Sequence, residues 1–126
     1  MLKNAEIVPY VPVSDLARAR TFYETKLGLK VREECGGQAV IYECGKGTWF
    51  FMYRSQGAGT SKASTAFWEV DDVEAEVAEL KARGVVFEEY DMPGIKTVNN
   101  IATGGGAKTA WFKDTEGNIL AVSQRI

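Results

Sequence analysis

The feature that most constrains this chain is that it is written twice. Val13-Ser14-Asp15-Leu16 returns as Val70-Asp71-Asp72-Val73, an offset of 57 residues, and Gly28-Leu29-Lys30-Val31 returns as Gly84-Val85-Val86-Phe87. A duplication fixes architecture before any single propensity does, because each copy must build the same small unit and leave the same face in need of cover.

The first copy opens with an apolar strand, Ile7 to Val13. Ser14 or Asp15 then caps a helix whose apolar positions are Leu16, Ala19, Phe22, Tyr23 and Leu27, closed by Gly28. Three strands follow, Leu29 to Cys35, Gln38 to Cys44 and Thr48 to Arg54, joined by Gly36-Gly37, read as a two-residue hairpin turn, and by Gly45-Lys46-Gly47. Residues 55–64 are small and polar, a linker by composition. The second copy runs through a strand at Thr65 to Val70, a helix capped by Asp71-Asp72 with Val73, Val77 and Leu80 inward and Gly84 at its end, and strands at Val85 to Tyr90, Lys108 to Lys113 and Asn118 to Gln124. Met92 to Thr109 is read as a long loop carrying Gly104-Gly105-Gly106, and loops of that length often serve as lids. Its glycines lack the strand-to-helix context of a phosphate-binding loop.

The expected fold is therefore α+β: two βαβββ modules, residues 1–54 and 65–126, forming a curved mixed sheet, an incomplete barrel with the helices outside. One module has too few strands to bury a sheet face alone, so two copies, or copies from two chains, close around a cavity. Strand parity sorts the side chains. Ile7, Pro9, Val11 and Val13, with Ala66, Trp68 and Val70, belong on the helix side. The opposite parity places Val8, Tyr10, Pro12, Trp49, Phe51, Tyr53, Thr65, Phe67, Glu69, Ile119, Ala121 and Ser123 on the concave face.

Composition narrows the function. The chain has 126 residues, 45% hydrophobic and 25% charged, as in an ordinary globular domain, and its net charge of −2 makes no electrostatic case for nucleic acid or an anionic membrane. No window is apolar enough to span a bilayer, and the opening Met-Leu-Lys-Asn-Ala-Glu has no secretory core, so the expected location is the cytoplasm. The absence of histidine removes the commonest acid/base and metal ligand, and with it Ser-His-Asp and Cys-His catalysis. In the expected hairpin Cys35 and Cys44 lie six strand steps apart, roughly 20 Å at ~3.3 Å per residue, which is too far for a disulfide. Both read as free packing thiols.

Residues 13–29, Val-Ser-Asp-Leu-Ala-Arg-Ala-Arg-Thr-Phe-Tyr-Glu-Thr-Lys-Leu-Gly-Leu, together with the closing turn Phe112-Lys-Asp-Thr-Glu-Gly-Asn-Ile-Leu120, resemble the two signatures of the vicinal-oxygen-chelate superfamily of glyoxalases, bleomycin-resistance proteins and extradiol dioxygenases. Metal-using members carry a His or Glu on each of four cavity strands. The resemblance maps those places onto Val8, Phe51, Thr65 and Ala121, none of them a usual metal ligand. Metal-free members include proteins that sequester bleomycin in aromatic grooves between two protomers.

The resulting expectation is a homodimer without cofactor or metal, binding a partly apolar or aromatic small molecule through Tyr10, Trp49, Phe51, Tyr53, Phe67, Glu69 and Trp111, with the alternative that the rings only fill the space a metal would occupy. Glu69 is the one candidate acid or base, a carboxylate among aromatic rings, with a solvated place near the strand end or pairing to Lys113 as its structural alternative. The rival functions are a metal-free lyase or isomerase using Glu69, Tyr53 or a cysteine, a metal-dependent glyoxalase-type enzyme with other ligands, and a degenerate member serving as an interaction protein.

Overall fold

The computed structural model describes residues 1–126, which divide into two units, Met1–Ala58 and Gly59–Ile126. In the first unit the elements are β1 (Tyr10–Val13), α1 (Leu16–Thr21), β2 (Lys30–Cys35), β3 (Ala39–Glu43) and β4 (Trp49–Arg54). They build a mixed sheet ordered β1-β4-β3-β2, parallel only between β1 and β4. Asp15 starts α1 by accepting the Arg18 amide at 3.0 Å. After Thr21 the helix widens into a π-helical stretch, Phe22–Lys26, and Gly28 ends it at φ 71°.

The widened turn places two neighbours usefully. Tyr23 stacks on Tyr42 at 5.9 Å, and the Tyr42 hydroxyl donates to Glu24 Oε2 at 2.9 Å. Arg20 joins Glu24 at 2.7 Å and Glu34 at 2.6 Å. The Arg20 hydrogen bond holds the Glu24 carboxyl below its usual range, whereas burial, then the bond to Glu24, pushes the Tyr42 phenol up. Val11, Val13, Val40, Phe50 and Met52 complete this core, as their parity requires.

The second unit contains β5 (Ser64–Glu69), α2 (Val73–Ala82), β6 (Asp91–Met92), β7 (Ile95–Val98), β8 (Ile101–Gly104), β9 (Ala107–Lys113) and β10 (Ile119–Arg125), in a sheet ordered β5-β10-β9-β8-β7-β6. Its one parallel pair is β5 with β10. Asp72 caps α2 through the Ala75 amide at 3.1 Å, and the Gln124 side chain takes the Val73 amide at 3.0 Å. Phe112 is fully buried between Phe87 and Trp68, with Val73, Val77 and Leu80 of α2 also buried. No helix is long and apolar enough to cross a membrane.

The repeat is kept in strand register. Tyr10 pairs with Phe51 in the first unit, and Phe67 with Ala121 in the second; these are the positions 57 and 70 residues on. Ile41 pairs with Phe51 as Trp111 pairs with Ala121.

Four expectations need correcting. Cys35 pairs with Ala39, not Gln38, so the hairpin loop has three residues; a bulge at Arg32 absorbs the extra one and restores Lys30 opposite Glu43. Strand β1 begins at Tyr10, leaving Ile7 93% exposed rather than in the core. The segment from Val85 to Tyr90 makes a single bridge, Phe87 to Phe112, then turns away because Thr97 takes both the Tyr90 amide and carbonyl, each at 2.8 Å. Finally, residues 92–109 are a three-strand meander, not a loop. Asn99 and Asn100 adopt φ 53° and 71°, the left-handed pair that a tight hairpin turn demands, and Gly105-Gly106 turns β8 into β9.

Candidate functional site

Each sheet has one face turned away from its helix, and the candidate residues lie there. In the first unit Tyr10 meets Phe51 edge-on at 5.5 Å and Tyr53 at 5.1 Å, while Phe51 and Tyr53 lie 6.3 Å apart and near-parallel. Such contacts are each worth about 0.5–1.5 kcal/mol beyond burial, so the three rings hold one another in place. Tyr10 is nonetheless 66% exposed, and Phe51 and Tyr53 are half-buried. Trp49 is engaged on two sides. The Arg32 guanidinium lies 5.0 Å from its ring centroid, and its indole N–H donates to Glu6 Oε2 at 3.4 Å.

In the second unit Phe67, 60% exposed, and half-buried Trp111 flank Ala121 on neighbouring strands. Tyr90 meets the Trp111 ring edge-on at 5.5 Å; burial, then the Glu88 carboxylate, raises its phenol. Thr109 and Ser123 share a hydrogen bond at 2.9 Å across the same face. Glu69 is exposed and bonded to Arg125 at 2.7 Å. Of the two structural alternatives the solvated one holds, since Lys113 pairs with Glu88 at 3.6 Å. Glu69 is thus a solvated ion-pair member, and the desolvated surroundings expected of a proton-transferring carboxylate are absent.

The structure therefore gathers Tyr10, Trp49, Phe51 and Tyr53 on one face, and Phe67, Glu69 and Trp111 on another. Sequence reading missed Ile41, Tyr90 and the Thr109–Ser123 pair. Ile41 was recoverable from the 70-residue offset as the counterpart of Trp111, and Thr109 from strand alternation with Trp111, whereas Tyr90 was hidden because its segment read as a regular strand. Cys35 and Cys44 form no disulfide and are half-buried.

The positions Val8, Phe51, Thr65 and Ala121 offer two aliphatic chains, a phenyl ring and one hydroxyl. That donor set does not fit a divalent transition metal. No group of three or more Cys, Asp or Glu side chains converges elsewhere.

The family model for the Glyoxalase/Bleomycin resistance protein/Dioxygenase superfamily matches residues 5–122. Among solved structures, a bleomycin-binding protein complexed with bleomycin superposes with a TM-score of 0.71 at 19% identity, covering 98% of this chain and 100% of that one. A lactoylglutathione lyase from Agrobacterium tumefaciens gives 0.69 at 18%, covering 96% and 93%. A mutant of the Listeria monocytogenes fosfomycin resistance protein FosX, complexed with Mn(II) and a dihydroxypropylphosphonic acid, gives 0.65 at 14%, covering 94% and 88%. At these identities the likeness carries the fold alone. No curated protein sequence gives a significant match.

Proposed function

This chain belongs to the glyoxalase/bleomycin resistance protein/dioxygenase superfamily, and from that premise we propose that it reversibly binds a partly apolar or aromatic small molecule, without a metal, through the aromatic helix-free sheet faces. The observation that carries this reading is the exposure of Tyr10 and Phe67, large rings on faces where a solvated sheet ordinarily presents polar side chains. The bleomycin complex among the structural neighbours supports a ligand of that character. The metal-dependent alternative draws no support from Val8, Phe51, Thr65 and Ala121. The metal-free lyase draws none from Glu69, which Arg125 and solvent already satisfy. We further propose a homodimer, which sedimentation at micromolar concentration tests; a monomer there would refute it.

Burying ~200 Å² of apolar ligand surface at ~25 cal/mol/Å² contributes roughly 5 kcal/mol before ordering costs, so a simple aromatic should bind in the millimolar to high-micromolar range. A thermal-shift screen of aromatic metabolites and drugs, followed by tryptophan fluorescence, finds the ligand. Phe51→Ala should then weaken binding about tenfold, near 1.4 kcal/mol, with the fold retained. An unchanged affinity would reduce the first unit's rings to packing.

A further inference from the structure

A cavity of about 360 Å³ opens in the first unit, and every residue lining it is polar: Ser14, Gln38, Arg54, Ser55 and Gln56. It is distinct from the aromatic face. Arg54 ends β4 with the parity of Phe50 and Met52, on the helix side of the sheet, whereas Phe51 and Tyr53 point the other way.

No carboxylate lines this cavity, and the Arg54 guanidinium has no acid partner. Asp15, next in sequence to Ser14, is turned back onto the Arg18 amide. The neutral residues supply donors. Ser55 Oγ already accepts from the Gly57 amide at 3.0 Å, which leaves its O–H to donate, and Gln38 and Gln56 carry carboxamide N–H groups. Arg18 Nη2 reaches Ser14 Oγ at 3.3 Å, bringing a second guanidinium to the rim.

The second unit shows what an occupied version of this position looks like. Gln124 stands where the 70-residue offset puts the equivalent of Arg54, and its carboxamide oxygen turns inward to accept the Val73 amide at 3.0 Å. Arginine has no acceptor to offer, so Arg54 cannot repeat that contact and lines an open cavity instead. A cavity of about 450 Å³ in the second unit differs in holding an acid: Glu74 lines it with Lys96 and Lys108 and pairs with Lys108 at 2.9 Å, whereas no carboxylate lines the Arg54 cavity.

We infer that the Arg54 cavity is a site for a small oxyanion, a carboxylate or phosphate group. The planar guanidinium supplies a two-pronged charged contact, and Ser55, Gln38 and Gln56 donate to the remaining oxygens. The site does not depend on the aromatic-ligand reading.

The test is an NMR titration of the ¹⁵N-labelled full chain with inorganic phosphate, with acetate, and with chloride at matched ionic strength. Saturable shifts of the Gln38, Arg54, Ser55 and Gln56 amides, in the millimolar range or tighter, are expected from phosphate or acetate and not from chloride. Whichever anion saturates first identifies the source of the oxyanion. Arg54→Gln, which installs the second unit's residue, should weaken binding tenfold or more. Arg54→Lys, which keeps the charge but loses the fork, should weaken it several-fold, and Lys108→Gln should leave it unchanged. Aromatic-ligand binding should survive Arg54→Gln, so the two proposals fail separately. Equal shifts from chloride, no saturation with either oxyanion, or parental binding in both Arg54 variants would overturn the site.

Discussion

The two units share a backbone plan and differ in what they hang on it. Tyr42 in the first and Phe112 in the second occupy the same place in the repeat, and both are fully buried. Only Tyr42 has a hydroxyl, and only there does the widened helix turn bring an acceptor, Glu24, to meet it. On the open faces, three mutually packed rings in the first unit correspond to Phe67, Ala121 and Ser123 in the second. Register and caps survive duplication because backbone geometry fixes them. Side-chain partners diverge, since each needs only its own neighbours to agree.

The largest test of this contrast lies in the cores. Phe112→Ala should destabilise the protein by about 3–5 kcal/mol in urea unfolding. Phe112→Tyr, which copies the first unit's residue without its acceptor, should cost about 1–3 kcal/mol for a buried unpaired hydroxyl. A neutral Phe112→Tyr would show that the second unit hides an equivalent partner.

Next come the closing turns. In the second unit Asp114 Oδ1 accepts the Glu116 and Asn118 amides, Asn118 Nδ2 donates to Asp114 Oδ2 at 2.9 Å, and Asn118 Oδ1 accepts the Gly59 amide at 3.2 Å. Gly59 lies so close that a Cβ there would stand 2.3 Å from the Glu116 carbonyl oxygen. Asn118→Ala should therefore cost about 2 kcal/mol, and chemical denaturation midpoints would read it. A loss under half that value would mean the turn holds without its side-chain bonds.

Acid separates the units more finely. Arg20 depresses the Glu24 carboxyl, so its stabilising contribution is complete above the ordinary glutamate range and is lost as pH falls through the depressed folded value. Glu24→Gln should flatten the stability profile on the acid side of the ordinary glutamate range. An unaltered acid slope in that variant would assign it to other carboxylates.

The smallest effect concerns the first unit's turn, where Lys46 holds φ 58° beside Gly47. Lys46→Gly should stabilise by about 0.5 kcal/mol, the relief of left-handed strain less the added freedom of the unfolded chain. Thermal midpoints that fall would show that the lysine side chain, not the backbone, sets this turn.

The duplication, the helix caps to within one residue, the glycine helix ends and the side of the sheet on which Val11, Tyr10, Phe51 and Phe67 fall were all legible in the letters. Each depends on residues a few positions apart, through helix capping or strand alternation. The meander at 92–109 was also written there, as Asn99-Asn100 and Gly105-Gly106 between β-branched residues, but its composition resembled a loop. What only the tertiary structure decided was partnership across strands. Examples are Glu69 with Arg125 rather than Lys113, Tyr90 against Trp111, the bulge at Arg32 that repairs a register, and the cavity beside Arg54. Such neighbours are set by register between distant segments, and a single bulge or one extra turn residue shifts every pairing beyond it without changing the local alternation from which a sequence is read.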